Sequence, residues 1–280
     1  MKLPSILRTT PPSVAIEIAS SRVTAVAVSG SGAYVKLGGW AVEPVPEGAV
    51  APSLTAPNVV RPADVVSAVR AALERLGQRP RRVALVIPDA AAKVSLVRFK
   101  DVPSRAADLE ELVKFQIRKA APFRVEDSQV SFAAGDRTAE GQEFVVVQAR
   151  RDIVAEYEQA CQGAGATAGV VDLATFGLAQ CALRTAAGLT GDWLLIHGVA
   201  DGATIAIYRG RHPVFFRRRG ADGDVLPRPP RRPRLQPRPR RGHTAHSVDR
   251  RRLDGHPGAT RRRRRTDGAG RTSLKVRSDC

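Results

Sequence analysis

The stretch VAIEIASSRVTAVAVSG at residues 14–30 decides the fold, because its pattern returns as LLIHGVADGATIAIYRG at residues 194–210. Each copy has an apolar strand, a turn of small or polar residues, a second apolar strand and a turn that contains glycine. A third strand is expected after each copy, over Tyr34–Val42 and Pro213–Arg217, and we call the two units the first meander and the second meander. Two copies spaced 180 positions apart indicate a duplicated half-domain rather than a solenoid, whose periods are much shorter.

The chain between the meanders predicts alternating helices and strands. Ala63–Leu76 carries an apolar stripe that ends at Gly77, a residue suited to the C′ position of a helix. Val83–Ile87 is a continuous aliphatic run, typical of a strand buried on both faces. Asp108–Ala120 is amphipathic, and Asp108 predicts a capping box at its start. Further strands are expected at Lys93–Phe99, Gln129–Ala133, Glu143–Ala149 and Thr167–Val171. Further helices are expected from Asp152 onward and at Leu173–Leu183.

This order of elements is that of one complete half of an actin-like (ribonuclease H-like) ATPase fold followed by the beginning of a second half. We therefore predict an α/β protein whose first actin-like half-domain spans residues 12–87 and 150–190. An α+β subdomain is inserted at 88–149. The second half-domain begins at 191–220, and the pattern predicts that it is truncated there.

Residues 221–280 differ in character from the rest of the chain. They carry 18 Lys and Arg against 6 Asp and Glu, a net of +12, out of a formal net charge of +18 for the whole chain. They contain no aromatic residue and many Pro, so we predict a disordered Arg/Pro-rich basic tail. Such a tail binds nucleic acid non-specifically. We favour a frameshift near Gly223, because Arg, Pro, Gly, Ala and His are what a GC-rich gene encodes out of frame.

Several classes of function lack their sequence signals. Cys161, Cys181 and Cys280 have neither CxxC spacing nor histidines at metal-ligand spacing, and the first two lie in apolar helical patterns that predict buried thiols. The motifs GxxxxGK[ST], GxSxG and HExxH do not occur. The N-terminus lacks the apolar core of a signal peptide, and no run of about 18 apolar residues predicts a membrane-spanning helix. We expect a cytoplasmic protein.

Two long segments resemble a known family. PDAAAKVSLVRFKDVPSRAADLEELVKFQIRKAAPFRVEDSQVSF at 88–132 is similar to the strand, proline, acidic helix and PF run of the PilM family, the actin-like proteins of type IV pilus assembly. QARRDIVAEYEQACQGAGATAGVVDLATFGLAQ at 148–180 resembles the helix, strand and helix that follow in that family. The likeness covers about residues 12–220. The cytoplasmic domain of the type II secretion protein GspL is a related alternative.

The resemblance implies a scaffold of the pilus assembly platform at the inner face of the bacterial inner membrane, peripheral to the membrane. Its implied partners are the short N-terminal cytoplasmic peptide of a PilN-like membrane protein and other platform proteins. In the family that peptide lies in a groove between the first actin-like subdomain and the insert. Here the groove is expected near Val83–Ala90 and the 93–134 part of the insert.

The resemblance also implies ATP and Mg²⁺ as candidate ligands at the turns of the two meanders. Actin-like ATPases carry an Asp-x-Gly-Ser/Thr pattern in the first turn, where the Asp organises Mg²⁺ through water and the Gly lets backbone N–H groups approach phosphate. In this chain Glu17 takes the Asp position and Ala19 the Gly position, while Ser20 and Ser21 keep the hydroxyls. The added methylene and Cβ weaken this turn as a phosphate site.

The second turn departs further from the pattern. His197 stands in the Asp position and Val199 in the Gly position, and a neutral imidazole is a poor ligand for Mg²⁺. We expect His197 to be a hydrogen-bonded strand residue. Asp201 and Thr204 remain as candidates.

The candidate nucleotide-binding residues are therefore Glu17, Ser20, Ser21, Asp201 and Thr204. No catalytic residue and no direct metal ligand is predicted. Asp89, Asp101 and Asp172 lie at strand ends or caps, and nothing in the sequence marks them as a catalytic pair. We expect a scaffold with a degenerate site, and the alternative is an active ATPase.

Overall fold

The structure, a computed structural model, describes residues 12–30, 35–185 and 191–220. The predicted basic tail at 221–280, and with it the frameshift predicted near Gly223, lies outside the described residues. In chain order the strands are β1 (Val14–Ile18), β2 (Arg22–Ser29), β3 (Lys36–Pro44), β4 (Arg82–Ile87), β5 (Ala92–Phe99), β6 (Ser128–Thr138), β7 (Gly141–Arg150), β8 (Thr167–Leu173), β9 (Asp192–Val199), β10 (Gly202–Arg209) and β11 (His212–Gly220). The α-helices are α1 (Pro62–Arg75), α2 (Ala106–Ile117), α3 (Arg151–Gly163) and α4 (Ala174–Thr185), and short 3₁₀ turns lie at Asp89–Ala91 and Val125–Asp127.

The largest sheet has five strands in the order β3-β2-β1-β4-β8. The first meander forms β1, β2 and β3 as antiparallel neighbours, whereas β4 runs parallel to β1 and β8 runs parallel to β4. Helices α1 and α3 pack on this sheet and on each other. The predicted order of elements is found, and the predicted α/β fold is confirmed.

Helix α1 ends as its sequence predicts. Gly77 has φ +67°, a left-handed conformation that a residue with a Cβ adopts at a cost. Its N–H donates to the carbonyl of Glu74, and the N–H of Gln78 donates to the carbonyl of Leu73 at 3.1 Å. These two bonds form a Schellman motif, which turns the chain sharply toward β4.

The insert forms a sheet of its own, in the order β5-β7-β6. One face packs against α2 around Phe99, Phe132 and Phe144, whose rings are in contact. Side chains of the opposite face, among them Val94 and Val145, join the core of the first half-domain. The inserted α+β subdomain thus has two different faces. The domain boundaries at 88 and 149, like those of the other parts, stay predictions.

The second meander is an antiparallel sheet with β10 in the centre. Its inner face packs against α4: Ala206 and Tyr208 are buried there, and Phe216 stacks on Phe176 of α4 with ring centroids 5.3 Å apart. Trp193 stacks on Tyr208 at 4.5 Å. The meander is therefore attached to the first half-domain through α4.

The outer face of the second meander is apolar and exposed in the part of the chain that the structure describes. Leu194 and Ile196 of β9 and Phe215 of β11 project from it. Strand β9 forms the edge of its sheet and pairs with β10. The predicted truncation of the second half-domain stays a prediction.

Two local expectations were wrong. Helix α2 begins at Ala106, two residues before the predicted cap, and no side chain caps it. Asp108 lies instead in the first turn, where its carboxylate interacts favourably with the positive end of the helix dipole. Cys161 is buried, and burial raises the pKa of its thiol to about 12, but Cys181 is exposed because α4 turns that side chain away from the sheet.

Candidate functional site

One backbone hydrogen bond and one ion pair lie within the first meander turn. The Ala19 N–H donates to the carbonyl of Arg22 at 2.9 Å, which closes the turn between β1 and β2. The Arg22 guanidinium lies 3.9 Å from the Glu17 carboxylate, and both side chains are partly exposed. Ser20 and Ser21 lie between them at the surface. A single weak ion pair therefore dominates this turn.

The second meander turn is fixed differently. Arg218 of β11 forms an ion pair with Asp201 at 2.7 Å and also donates to the Asp201 carbonyl at 3.2 Å. Gly202 follows with φ +146°, and a Cβ at this position would lie 2.1 Å from the carbonyl oxygen of Arg219. The glycine of this turn is thus required for the close approach of β11.

A buried polar cluster centres on Asp89. The Asp89 carboxylate accepts hydrogen bonds from the Thr175 N–H at 3.0 Å, from the Thr175 hydroxyl, and from the Thr204 hydroxyl at 2.6 Å. His197 Nδ1 lies 3.3 Å from the same carboxylate and 3.0 Å from the Thr175 hydroxyl. We call these four residues the Asp89 cluster.

Strand register explains why Asp89 and Thr175 meet. Strands β4 and β8 are parallel neighbours with Ile87 opposite Leu173. Asp89 and Thr175 each follow two residues after that pair, so both emerge at the carboxyl edge of the sheet. Thr175 lies in the first turn of α4, where backbone N–H groups have no partner within the helix. The carboxylate accepts one of these N–H groups, as an anion at a helix N-terminus does.

The other two members of the cluster come from the second meander. His197 and Thr204 are cross-strand partners on β9 and β10. Because the Thr175 hydroxyl gives its only proton to Asp89, it can only accept from His197, and we therefore assign the ring proton to Nδ1. The expectation that His197 is a hydrogen-bonded strand residue agrees with this geometry.

The ionised form of Asp89 is favoured by its partners. Burial by itself raises the pKa of a carboxyl, but here the hydrogen bonds from His197, Thr175 and Thr204 outweigh burial and hold the pKa of Asp89 below its ordinary value. The cluster is therefore a buried carboxylate that ties the second meander to the first half-domain.

The sequence-predicted site residues fall into three separate groups. Glu17, Ser20 and Ser21 lie at the first turn, Asp201 pairs with Arg218, and Thr204 belongs to the Asp89 cluster. Thr204 is the cross-strand partner of Arg218, so the second and third groups are neighbours in one sheet. Sequence reasoning gave Asp89 no role. The sequence signal for this role was the position of Asp89 just after the buried strand β4. The strand parallel to it, β8, is followed directly by Thr175 at the start of α4.

Protein contacts also join the second meander to the insert. Strand β11 lies beside β5 and β6, and His212 Nε2 is 3.5 Å from the Asp136 carboxylate. Leu96 of β5 is exposed. Its cross-strand partner Val145 belongs to the core of the first half-domain, so Leu96 lies on the face of the insert sheet that packs against that half-domain. Strand β5 is an edge strand of its sheet.

Comparison with known families and structures identifies the relatives of this architecture. A sequence profile described as type IV pilus assembly protein PilM matches residues 15–227. The solved PilM-PilN type IV pilus biogenesis complex contains a chain that is 25% identical, with a TM-score of 0.65 over 74% of this chain. The match covers 61% of that relative, so this chain spans about three fifths of its length. Comparison with curated protein sequences finds no significant match.

Two more distant structures also match. One is the cytoplasmic domain of EpsL, an inner membrane component of the type II secretion system of Vibrio cholerae, at 12% identity and a TM-score of 0.45 over 74% of this chain and 70% of that one. The other is a Bacteroides thetaiotaomicron protein with an actin-like ATPase fold, at 7% identity and a TM-score of 0.43 over 78% and 74% of the two chains.

Proposed function

The chain belongs to the PilM family of type IV pilus assembly proteins, and on that premise we propose that it is a scaffold that binds the N-terminal peptide of a PilN-like membrane protein. The observation that carries the proposal is the match to a chain of the PilM-PilN complex, with 25% identity and a TM-score of 0.65 over 74% of this chain. A PilN-like partner would hold this protein at the inner face of the inner membrane, beside the other platform proteins. In the described ranges no helix has the length and apolarity needed to cross a bilayer.

The groove proposed for the peptide lies between the carboxyl end of β4 and the insert. Asp89–Ala91 connects these two parts, and the insert sheet ends there in the edge strand β5. An edge strand offers unpaired backbone groups to an extended peptide, and the exposed Leu96 offers an apolar contact beside them. This geometry supports peptide binding and requires no reaction chemistry.

We also propose that the nucleotide site is degenerate. Mg²⁺ needs oxygen ligands and phosphate needs backbone N–H donors, but three of the groups at the two turns are engaged with protein partners. Asp201 is neutralised by Arg218, Thr204 donates to Asp89, and the Ala19 N–H is bonded within its own turn. In the described ranges no group of three or more His, Cys, Asp or Glu is suited to a metal ion. The residues present do not fit a magnesium nucleotide.

Isothermal titration calorimetry of the full chain with a synthetic peptide tests the scaffold proposal. The peptide is the N-terminal cytoplasmic segment of a PilN-like protein from the same genome, and a scrambled peptide is its control. We expect saturable binding that is weakened about tenfold or more by Leu96→Glu, because a charge would be buried in the groove.

Phe115→Glu is the matched control variant. Phe115 is the other large exposed apolar residue of the insert, but it lies on α2, across the sheet from the groove. We expect its affinity to equal that of the unmodified chain. If the pilus peptide does not bind but the corresponding peptide of the type II secretion system does, the scaffold proposal is wrong and the GspL-like alternative is favoured.

A further inference from the structure

One edge of the five-stranded sheet collects the amino ends of β1, β4 and β8. The end of β2 and the start of β3 lie along the same edge, because β2 runs antiparallel to both of its neighbours. The connections from α1 to β4 and from α3 to β8 also cross it. We call this the amino edge. The opposite edge, which carries Asp89, is the carboxyl edge.

Cationic side chains project from the amino edge. Lys36 begins β3, Arg79 and Arg81 lie between α1 and β4, and Arg82 begins β4; all four are exposed. Within residues 12–30, 35–185 and 191–220, none of the four forms an ion pair. Glu74 is the one carboxylate within residues 74–82. The amino edge is therefore electropositive.

Backbone carbonyls hold two guanidinium groups in place at this edge. Arg70 donates to the carbonyl of Gly163 at 2.8 Å, and Arg82 Nη2 lies 3.5 Å from the carbonyl of Gly169. A guanidinium has five N–H groups, so one such bond leaves donors for a further partner. Fixing these side chains in advance lowers the entropy cost of binding an anion.

Large apolar side chains accompany the cations. Val35 and Leu37 flank Lys36 and are 43% and 64% exposed, and Trp40, further along β3, is 67% exposed. Leu37 and Trp40 lie opposite Val28 and Val26, which share one face of β2. The amino edge thus combines exposed aliphatic and aromatic groups with cations on an edge strand.

We infer that the amino edge docks directly on an anionic phospholipid bilayer. Cations next to the surface are attracted to acidic headgroups, while leucine and tryptophan side chains enter the boundary between headgroups and acyl chains. Stable attachment to a bilayer usually takes two signals, and this edge supplies a basic one and an apolar one. Single-stranded nucleic acid is disfavoured as the occupant, because the exposed ring of Trp40 stands beside the aliphatic side chains of Val35 and Leu37, which cannot stack on bases.

This docking sets an orientation for the molecule. The proposed peptide groove lies at the carboxyl end of β4, which has six residues, so it faces the cytoplasm about 20 Å from the bilayer. A membrane-anchored peptide reaches it with roughly six extended residues. Bilayer docking does not depend on the peptide proposal, because the two use opposite edges of the sheet.

Depth-dependent fluorescence quenching tests the docking in the full chain. The probe is an indole introduced by Leu37→Trp in a Trp40→Phe background, with the half-buried Trp193 as a constant signal. Vesicles contain equal amounts of phosphatidylglycerol and phosphatidylcholine with brominated acyl chains. We expect a blue shift and quenching of the new indole, and neither effect with phosphatidylcholine alone.

Charge reversal separates the amino edge from the Arg-rich residues 221–280, which attract vesicles by themselves. Arg79→Glu/Arg81→Glu/Arg82→Glu is expected to lower the quenching roughly tenfold, whereas the matched reversal of Arg118, Lys119 and Arg124 on the insert leaves it unchanged. Vesicle binding without quenching at position 37 would overturn the proposal. Equal quenching in both triple variants would overturn it as well. So would a charge reversal at the amino edge that weakens binding of an oligonucleotide but does not change the quenching by vesicles.

Discussion

In the first meander the cross-strand pair Glu17 and Thr24 lies beside the exposed Arg22, whereas in the second meander the equivalent pair, His197 and Thr204, turns toward Asp89. The backbone pattern is the same, but the environment is not. The Glu17 side chain is 29% exposed, while its counterpart His197 is 16% exposed and contacts Asp89, whose side chain is 4% exposed. A duplicated turn can therefore keep its geometry and change from a solvent-facing polar site into a buried joint between half-domains.

The difference predicts where each meander is sensitive to substitution. A partly exposed ion pair is screened by water and contributes little to stability. A buried carboxylate with several donors is costly to disturb, because its removal leaves those donors without partners. The first meander should thus tolerate changes to its turn, and the second should not.

Asp89→Ala is expected to have the largest effect. It leaves Thr175, Thr204 and His197 without their acceptor, and the free energy of unfolding should fall by about 3–5 kcal/mol. Glu17→Ala in the first meander is the control and should change it by less than about 1 kcal/mol. Urea denaturation of the full chain measures both, and equal effects would remove the distinction between the meanders.

Thr204→Val should have an intermediate effect. It keeps the shape of the side chain but removes the hydroxyl that donates to the charged Asp89, at a cost of about 1.5–3 kcal/mol. Thr24→Val is its counterpart in the first meander, 180 positions earlier, where the change should stay within about 0.5 kcal/mol. The comparison fails if the two valine variants have the same urea midpoint.

The pH dependence of the Asp89 contribution should be the smallest effect. Because the pKa of Asp89 is below its ordinary value of 3.8 in the folded chain, ionised Asp89 stabilises the fold above that value, and this stabilisation is lost as the pH falls through the folded pKa. The stability difference between the unmodified chain and Asp89→Asn should be constant near neutral pH and shrink in acid. A difference that grows in acid would mean that Asp89 is buried in its protonated form.

The order of elements could be predicted because it depends on local patterns. The alternation in β1 and β2 and the stripe and terminal Gly77 of α1 each lie within a few residues. The first residue of α2 was harder to predict, because an Asp such as Asp108 is favourable in the first turn of a helix as well as at its N-cap. Cys181 was misplaced because an apolar helical pattern does not tell which part of a helix meets the core.

The Asp89 cluster could not be predicted, because its members come from distant parts of the chain. Thr175 is 86 residues from Asp89, and Thr204 is 115 residues away. The meander duplication indicated that His197 had replaced an Asp of a phosphate turn, and it kept Thr204 as a candidate nucleotide-binding residue. It did not indicate that a carboxylate from the first half-domain would accept their hydrogen bonds.

Thermal unfolding of the full chain with the PilN-like peptide and, separately, with Mg-ATP tests the central claim most directly. A ligand that binds only the folded chain stabilises it by about 2.7 kcal/mol at a concentration of about 100 times its dissociation constant. We predict that the peptide raises the melting temperature in a concentration-dependent way and that Mg-ATP leaves it unchanged. A rise with Mg-ATP and none with the peptide would contradict the claim that this PilM-family chain is a scaffold whose second meander is held by Asp89 rather than by nucleotide.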